Sequence, residues 1–294
     1  MRITHSLWTK PMLYNRWFVE NQLEPSIWLY ALSYLYAREV ADEVVLHADD
    51  LGMEYLDVIP YDEVYPTLNQ ISDVHQKWWA MGKVVTLENE PIKSVHIDGD
   101  VFLRNPELIR EKFAMKGFDM VCQMVERGHL FTGGYEPQMK YFDHALRNVE
   151  VKGYGWCDYA FNCGVLGFRK KSLRDEFIKN VKTMVAESTK DHGIMFLMDG
   201  KYEPNIIIEQ YMLAGLAELT KSKIQYILDP LEVEKQQSLN QVANELGYIH
   251  AWGKTKYKDH IVEIVKRIVK KKSPEIYSNI EWKFKNIEKE TVTI

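Results

Sequence analysis

The stretch SVHIDGDVFL, residues 94–103, places two carboxylates on either side of one glycine. Asp98 and Asp100 follow the apolar residues Val95 and Ile97, which predicts a short buried strand that ends in an exposed acidic pair. Asp and Gly favour turns, so an ordinary turn is one interpretation. The other is a divalent cation, which would offset the repulsion between the carboxylates and take oxygen ligands from both.

Two other motifs that contain an Asp-x-Asp pair fit this chain poorly. An EF-hand loop needs further oxygen ligands and a Glu at its twelfth position, whereas the apolar residues 101–103 follow here. Phosphatases of the haloacid dehalogenase type carry the pair near the N-terminus and follow it with Thr, whereas this pair lies mid-chain. The pair by itself therefore leaves a turn and a metal site open.

Three later stretches contain polar residues of the types that bind phosphates, sugars and metals. They are Asn162 and Gly164 in FNCGVLGF, Glu209 and Gln210 in IIIEQYMLAGL, and His250, Gly253 and Lys256 in YIHAWGKTK. Each has an ordinary explanation when taken singly: a turn amide, the polar face of a helix, a structural histidine or a solvated lysine. Their joint occurrence favours a functional role.

In this order, after an Asp-x-Asp pair, the three stretches resemble the signature of glycosyltransferase family 8 and its GT-A relatives. The resemblance covers about residues 90–256. It departs from the family pattern at Cys163, where Ala or Ser is usual, and at Glu209, where Asp is typical. After Lys256, Tyr257 stands where Pro-Trp is usual. The chain is therefore similar to a divergent member of that family.

The resemblance implies that Asp98, Asp100 and His250 bind Mn²⁺ or Mg²⁺ together with the diphosphate of a nucleotide sugar. Such a cation would neutralise the diphosphate while the glycosidic bond breaks. Lys256 would contact a phosphate as a point charge, and Gly253 would let the backbone approach the phosphates.

The resemblance also implies that Asn162, Glu209 and Gln210 form hydrogen bonds to the donor sugar. Asp158 would assist them. Gln210 would face the reactive carbon of the sugar as a stabilising group. Tyr154 and Trp156, in the aromatic stretch GYGWCDY, are candidates for an acceptor pocket, with an ordinary packed lid as the alternative.

The N-terminal part of the chain offers candidates for the nucleotide. His5, Trp8 and Thr9 follow the first apolar residues, and Asp49 follows the second predicted strand, where it would accept from the uracil or ribose. Trp8 has packing in the core as its alternative.

Helices alternate with short apolar strands along the first half of the chain, which predicts an α/β fold with a mostly parallel sheet and helices on both faces. Ligands of such sheets bind at the carboxyl ends of the strands, where the acidic loops fall. With the resemblance, this indicates a Rossmann-like nucleotide-binding sheet of GT-A type. The net charge of −5 argues against a nucleic-acid partner.

We expect one domain over residues 1–260 and a basic amphipathic tail over residues 261–294. Four apolar residues of the tail have helical spacing, and five basic residues lie among them: Ile261, Ile264, Val265 and Ile268, with Lys266, Arg267, Lys270, Lys271 and Lys272. The tail packs on the sheet, or it lies on an anionic membrane surface. The three cysteines are an odd number without paired spacing, and the N-terminal residues lack the apolar core of a signal peptide, so we expect a cytoplasmic location. If the tail binds lipid, that location would be the inner face of the membrane.

The expected activity is metal-dependent transfer of a hexose from a nucleotide sugar, with UDP as the favoured nucleotide. By analogy with the family, transfer retains configuration and the acceptor is a glycan or glycolipid of surface polysaccharide biosynthesis. The alternatives are a nucleotidyltransferase that makes sugar nucleotides and a non-catalytic protein that binds nucleotides or glycans.

Overall fold

The computed structural model describes residues 1–14, 23–198, 203–236, 238–251 and 253–291. Nine strands lie within these ranges. They are β1 (Arg2–Leu7), β2 (Glu43–Ala48), β3 (Glu63–Tyr65), β4 (Val95–Ile97), β5 (Val101–Leu103), β6 (Met120–Glu126), β7 (Ala160–Phe168), β8 (Ile224–Tyr226) and β9 (Tyr248–His250).

Seven of these strands form one sheet in the order β3-β2-β1-β4-β7-β6-β8, and β5 pairs with β9 in a second, two-stranded sheet. The pairings β3-β2, β2-β1, β1-β4 and β6-β8 are parallel, whereas β7 is antiparallel to both β4 and β6. The mostly parallel sheet expected from the sequence is therefore confirmed.

The helices of the described ranges connect and cover these strands. They are α1 (Lys10–Leu13), α2 (Leu23–Val40), α3 (Asp50–Leu56), α4 (Met81–Asn89), α5 (Pro106–Ala114), α6 (His129–Gly134), α7 (Glu136–Ala145), α8 (Lys171–Thr189), α9 (His192–Leu197), α10 (Met212–Leu219), α11 (Pro230–Gln236), α12 (Leu239–Leu246), α13 (Asp259–Lys272) and α14 (Pro274–Thr291). Short 3₁₀ segments lie at Thr67–Ile71 and Lys254–Tyr257, and a π-helical turn lies at Ile207–Tyr211.

The central strands are buried on both faces, as parallel strands covered by helices must be, whereas the edge strand β3 is exposed. In β6, Met120 and Cys122 point into one apolar core, which α4, α8 and α10 cover, and Val121 points into the other. This second core is covered by α2, α5 and α13. The α/β class and the helices on both faces are thus confirmed.

The C-terminal part of the chain is helical, as expected, and α13 packs against α2. Its buried stripe consists of Val262, Val265 and Val269, whereas Ile264, which we expected in the apolar stripe, is 42% exposed. Because α2 covers the apolar face of α13, the structure does not support peripheral membrane association through this helix. The domain boundary at residue 260 stays a prediction, and residues 292–294 of the tail lie outside the described ranges.

In the described part of the chain, every helix is too short or too polar to cross a bilayer. The cytoplasmic location stays a prediction.

A buried ion-pair network joins β1 and β2 to Glu90, which directly follows α4. Glu90 accepts from Arg2 Nε at 2.8 Å and lies 2.8 Å from His47 Nε2. Burial alone would raise the pKa of Glu90, but the hydrogen bonds from His47 and Arg2 lower it to about 2, from an ordinary value of 4.5. The folded state therefore gains stability from Glu90 above its ordinary pKa and loses it as the pH falls.

We expect the free energy of unfolding of the wild type to fall more steeply than that of Glu90→Gln between pH 4.5 and about pH 2. The reason is that only the wild type must protonate this paired carboxylate. Urea unfolding at a series of pH values measures both slopes. A difference between the two proteins that stays constant over this window would contradict the assignment.

Candidate functional site

The strand connections bring the acidic pair and His250 together. Asp98 directly follows β4, and Asp100 directly precedes β5. Strand β9 pairs with β5 so that His250 lies opposite Val101, and the Ala251 amide donates to the Asp100 carbonyl at 2.9 Å. The antiparallel pairing of β5 with β9 therefore places residues that are about 150 positions apart in sequence beside each other.

Asp98, Asp100 and His250 form a cluster whose ligand-type atoms all lie within 4.8 Å of one another. His250 Nε2 lies 3.4 Å from Asp100 Oδ1 and 3.9 Å from Asp98 Oδ2. Two carboxylates and an imidazole at this spacing are a donor set that suits Mn²⁺ or Mg²⁺.

A neighbouring glutamine fixes which nitrogen of His250 faces the cluster. Gln123 Oε1 lies 2.8 Å from His250 Nδ1, and an amide oxygen can only accept, so Nδ1 carries the proton. Nε2 is then the ring nitrogen that faces the carboxylates, and it is the nitrogen that a metal would bind. Gly164 lies beneath this contact, because a Cβ there would come within 2.6 Å of Gln123 Oε1 and His250 Nδ1.

The glycine between the two acids is explained by an aromatic ring. A Cβ on Gly99 would lie 2.5 Å from the ring of Tyr30, whose hydroxyl donates to the Ser6 carbonyl at 2.5 Å. Only glycine lets this ring pack over the turn. The turn geometry and the ligand geometry of the acidic pair are therefore both present.

Lys256 binds directly to the cluster, with Nζ 2.5 Å from Asp100 Oδ2. Burial would raise the pKa of Asp100, but the charges of Lys256 and His250 outweigh burial and hold it well below its ordinary range. Gly253, which begins the turn that carries Lys256, has φ of 75°, a conformation that glycine adopts without strain.

A cavity of about 310 Å³ lies against the cluster. All nine motif residues singled out in the sequence line its wall: Asp98, Asp100, Asn162, Gly164, Glu209, Gln210, His250, Gly253 and Lys256. Trp8 lines it as well and is buried. The four motifs thus meet at one cavity, although they are spread over residues 98–256 of the chain.

Glu209 and Gln210 lie in the π-helical turn Ile207–Tyr211, which continues into α10. The wider turn of a π-helix reduces the angle between successive side chains, so both neighbours reach the same cavity wall. Such turns occur frequently at functional sites.

Lys83 of α4 is a site residue that the sequence analysis missed. Its Nζ lies 2.9 Å from Asp98 Oδ1 and 2.6 Å from Glu209 Oε1, and it donates to the Cys163 carbonyl at 2.7 Å. Burial would lower the pKa of this amine, but the carboxylates of Asp98 and Glu209 raise it above its ordinary value. Lys83 therefore stays charged and joins the cluster of Asp98, Asp100 and His250 to the π-helical turn.

Five sequence candidates lie outside the cavity wall formed by the described residues. Asp49 caps α3 through Gly52 and accepts from the amide and hydroxyl of Thr9, so these two residues bind each other. Tyr154 donates to the Met139 carbonyl, Trp156 is 60% exposed, and Asp158 is exposed. Their roles in nucleotide, sugar or acceptor binding stay predictions.

His5 is buried in the core and does not line the cavity. Its Nδ1 lies 2.9 Å from the Tyr61 hydroxyl and its Nε2 lies 3.0 Å from Ser33 Oγ. Burial lowers its pKa to about 3, so it is neutral at physiological pH. These contacts give His5 a structural role.

The chain belongs to a family of unknown function, DUF6734, whose model matches residues 1–283. No curated protein matches the sequence. Among solved structures, the chain is similar to the galactosyltransferase LgtC in complex with donor and acceptor sugar analogs. That match has a TM-score of 0.47 and 14% identity, over 92% of this chain and 95% of that one. Similarity at this level carries no argument about activity.

Proposed function

We propose that this chain is a metal-dependent glycosyltransferase of GT-A type that moves a hexose from a UDP-sugar to a glycan or glycolipid acceptor, with retention of configuration. One observation carries the proposal: nine residues of four separate motifs line a single cavity. The motifs follow one another in the order typical of family 8, so their convergence is what this function requires.

The donor set fits a divalent cation. Asp98 and Asp100 would supply carboxylate oxygens, and His250 would supply Nε2, the ring nitrogen that the Gln123 contact leaves facing the cluster. When bound, the cation would neutralise charge on the diphosphate leaving group.

The chain's own cations complete this arrangement. Lys256 has a carboxylate partner in Asp100 and lies at the cavity wall, so it can exchange that partner for a phosphate oxygen. Lys83 holds Glu209 in place by an ion pair. Asn162, Glu209 and Gln210 then offer hydrogen-bonding groups to the sugar at the same wall.

Lys256→Ala and Gln210→Ala should fail differently. The affinity of the lysine variant for UDP itself should fall by about 10-fold or more, since the variant loses a charge-assisted contact with a phosphate. The glutamine variant should keep its UDP affinity and lose turnover, because its side chain would face the sugar. Titration calorimetry with UDP and Mn²⁺, alongside turnover of the UDP-sugar, separates the two. An equal loss of UDP affinity in both variants would contradict the placement of the π-helical turn.

The proposed function is tested by incubating the protein with a panel of nucleotide sugars and measuring release of free nucleotide. With Mn²⁺ we expect slow hydrolysis of a UDP-hexose, and with EDTA we expect none. Release of pyrophosphate from a sugar phosphate and UTP would instead identify a nucleotidyltransferase. Binding of UDP without turnover of any donor, with glycan acceptors included, would identify a non-catalytic binding protein.

A further inference from the structure

A chain of buried polar side chains lies behind the cavity wall and ends at Gln210. Glu126 of β6 and Tyr135 are 8% and 2% exposed, and neither lines the cavity. The Tyr135 hydroxyl lies within hydrogen-bond distance of Glu126 Oε2 and 2.5 Å from Gln210 Oε1. Glu126 Oε1 accepts from Asn162 Nδ2 at 2.8 Å. Two cavity residues are thus tied to one buried carboxylate.

The number of available protons fixes the direction of the hydrogen bonds between these side chains. A phenol has one O–H, so Tyr135 cannot donate to both Glu126 and Gln210. The carboxylate oxygen Oε2 of Glu126 accepts from the Tyr135 hydroxyl, so the single Tyr135 proton goes to Glu126. Burial and the charge of Glu126 raise the pKa of Tyr135, which keeps that proton in place.

The contact between Tyr135 and Gln210 then needs its donor from Gln210. The amide nitrogen is the only donor of that side chain, and the oxygen and nitrogen of an amide are told apart by the hydrogen bonds they make. We therefore assign the Gln210 atom that faces Tyr135 as the amide nitrogen, which interchanges the positions of Nε2 and Oε1. The amide oxygen is left for the cavity.

The direction of the hydrogen bond between Asn162 and Glu126 follows from a separate contact. The Gly164 amide donates to Asn162 Oδ1 at 3.2 Å, which identifies Nδ2 as the atom that donates to Glu126. Each oxygen of Glu126 therefore has one donor, Oε1 from Asn162 and Oε2 from Tyr135.

We propose that Glu126 and Tyr135 are positioning residues that hold the Gln210 amide with its nitrogen towards Tyr135 and its oxygen towards the donor sugar. This inference rests on the proposed function. Positive charge develops at the reactive carbon as its bond to the diphosphate breaks, and a carbonyl oxygen beside that carbon stabilises it. An amide N–H in the same place would oppose it.

The inference is tested by a double-mutant cycle on turnover of the UDP-hexose. Tyr135→Phe should lower kcat by between about 10- and 100-fold while UDP affinity stays unchanged, because the amide loses its orientation. In the Gln210→Ala background the same substitution should have no further effect. Tyr34→Phe is the matched control, since its buried hydroxyl donates to the Pro60 carbonyl in the other core. A decrease in kcat by the same factor in both backgrounds would overturn the inference.

Glu126→Gln tests the orientation without changing shape. Asn162 still donates to the new amide oxygen, so its nitrogen donates to Tyr135, and the phenol proton turns to Gln210. This reverses the Gln210 amide, and kcat should fall as in Tyr135→Phe, although every hydrogen bond is retained. Wild-type kcat in this variant would contradict the inference.

The melting temperature provides a readout that does not depend on activity. The shift caused by Tyr135→Phe should be smaller in the Gln210→Ala background than in the wild type, because the two side chains share a hydrogen bond. Non-additive shifts in a protein that turns over no donor would support the positioning contact and reject the proposed function. Additive shifts together with an active wild type would do the reverse.

Discussion

Replacing Asp100 with Asn should abolish the metal-dependent binding of UDP. The substitution keeps the size of the side chain and removes the charge that the cation, His250 and Lys256 share. An amide is a much weaker ligand for a hard cation than a carboxylate, so we expect UDP affinity in the presence of Mn²⁺ to fall by about 100-fold. Titration calorimetry with Mn²⁺ and UDP measures the loss.

Asp175→Asn is the matched control, because Asp175 also forms close ion pairs but lies on α8, away from the cavity wall. Circular dichroism and the melting temperature of both variants show whether the fold is kept. UDP affinity that is the same in Asp100→Asn, in Asp175→Asn and in the wild type would rule out Asp100 as a ligand.

Lys83→Met should destabilise the protein more than any other single lysine replacement at the site. The substitution leaves Asp98 and Glu209 without the buried cation that lies between them. Breaking a buried ion pair by removing one partner costs about 3–5 kcal/mol, because the remaining charge is buried without compensation. Urea unfolding at neutral pH measures this as a lower midpoint.

Two further proteins separate this effect from a general effect of losing a lysine. Lys182→Met removes a half-exposed lysine that pairs with Glu88, and we expect a loss of at most about 1 kcal/mol. Lys83→Met/Glu209→Gln removes one of the stranded charges and should recover part of the stability. A cost for Lys83→Met no larger than that for Lys182→Met would mean that the site does not depend on this ion pair.

The acidic pair, the glycine-containing turn and His250 were accessible from the sequence because each has a local signature. Asp98 follows a run that alternates like a strand, and His250 has a fixed spacing to Gly253 and Lys256. The α/β class followed from the alternation of helices and short apolar strands. The antiparallel direction of β7 did not, since the direction of a buried strand leaves no mark on its apolar pattern.

The supporting residues were missed because each is a single polar residue inside an apolar run. Lys83 stands in MGKVVTL, and Gln123 stands in MVCQM. A polar residue that is surrounded by buried neighbours must find a partner, and this was the signal available for both. The partners themselves, Glu209 and His250, lie more than a hundred residues away, so only the fold reveals them.

The outer candidates show a second use of the same residue types. Asp49 and Thr9, which we predict to contact the nucleotide, bind each other in the structure, and Asp49 caps the start of α3. A carboxylate at a strand end is also a good helix N-cap, and the sequence does not distinguish the two uses.

One titration tests the central claim most directly, namely that one cavity binds a divalent cation and a nucleoside diphosphate together. UDP is titrated calorimetrically into the wild-type protein with Mn²⁺ and again with EDTA. We expect a single binding event with Mn²⁺ and at least a 10-fold weaker one, or none, with EDTA. Equal UDP affinity under both conditions, or no UDP binding with Mn²⁺, would contradict it.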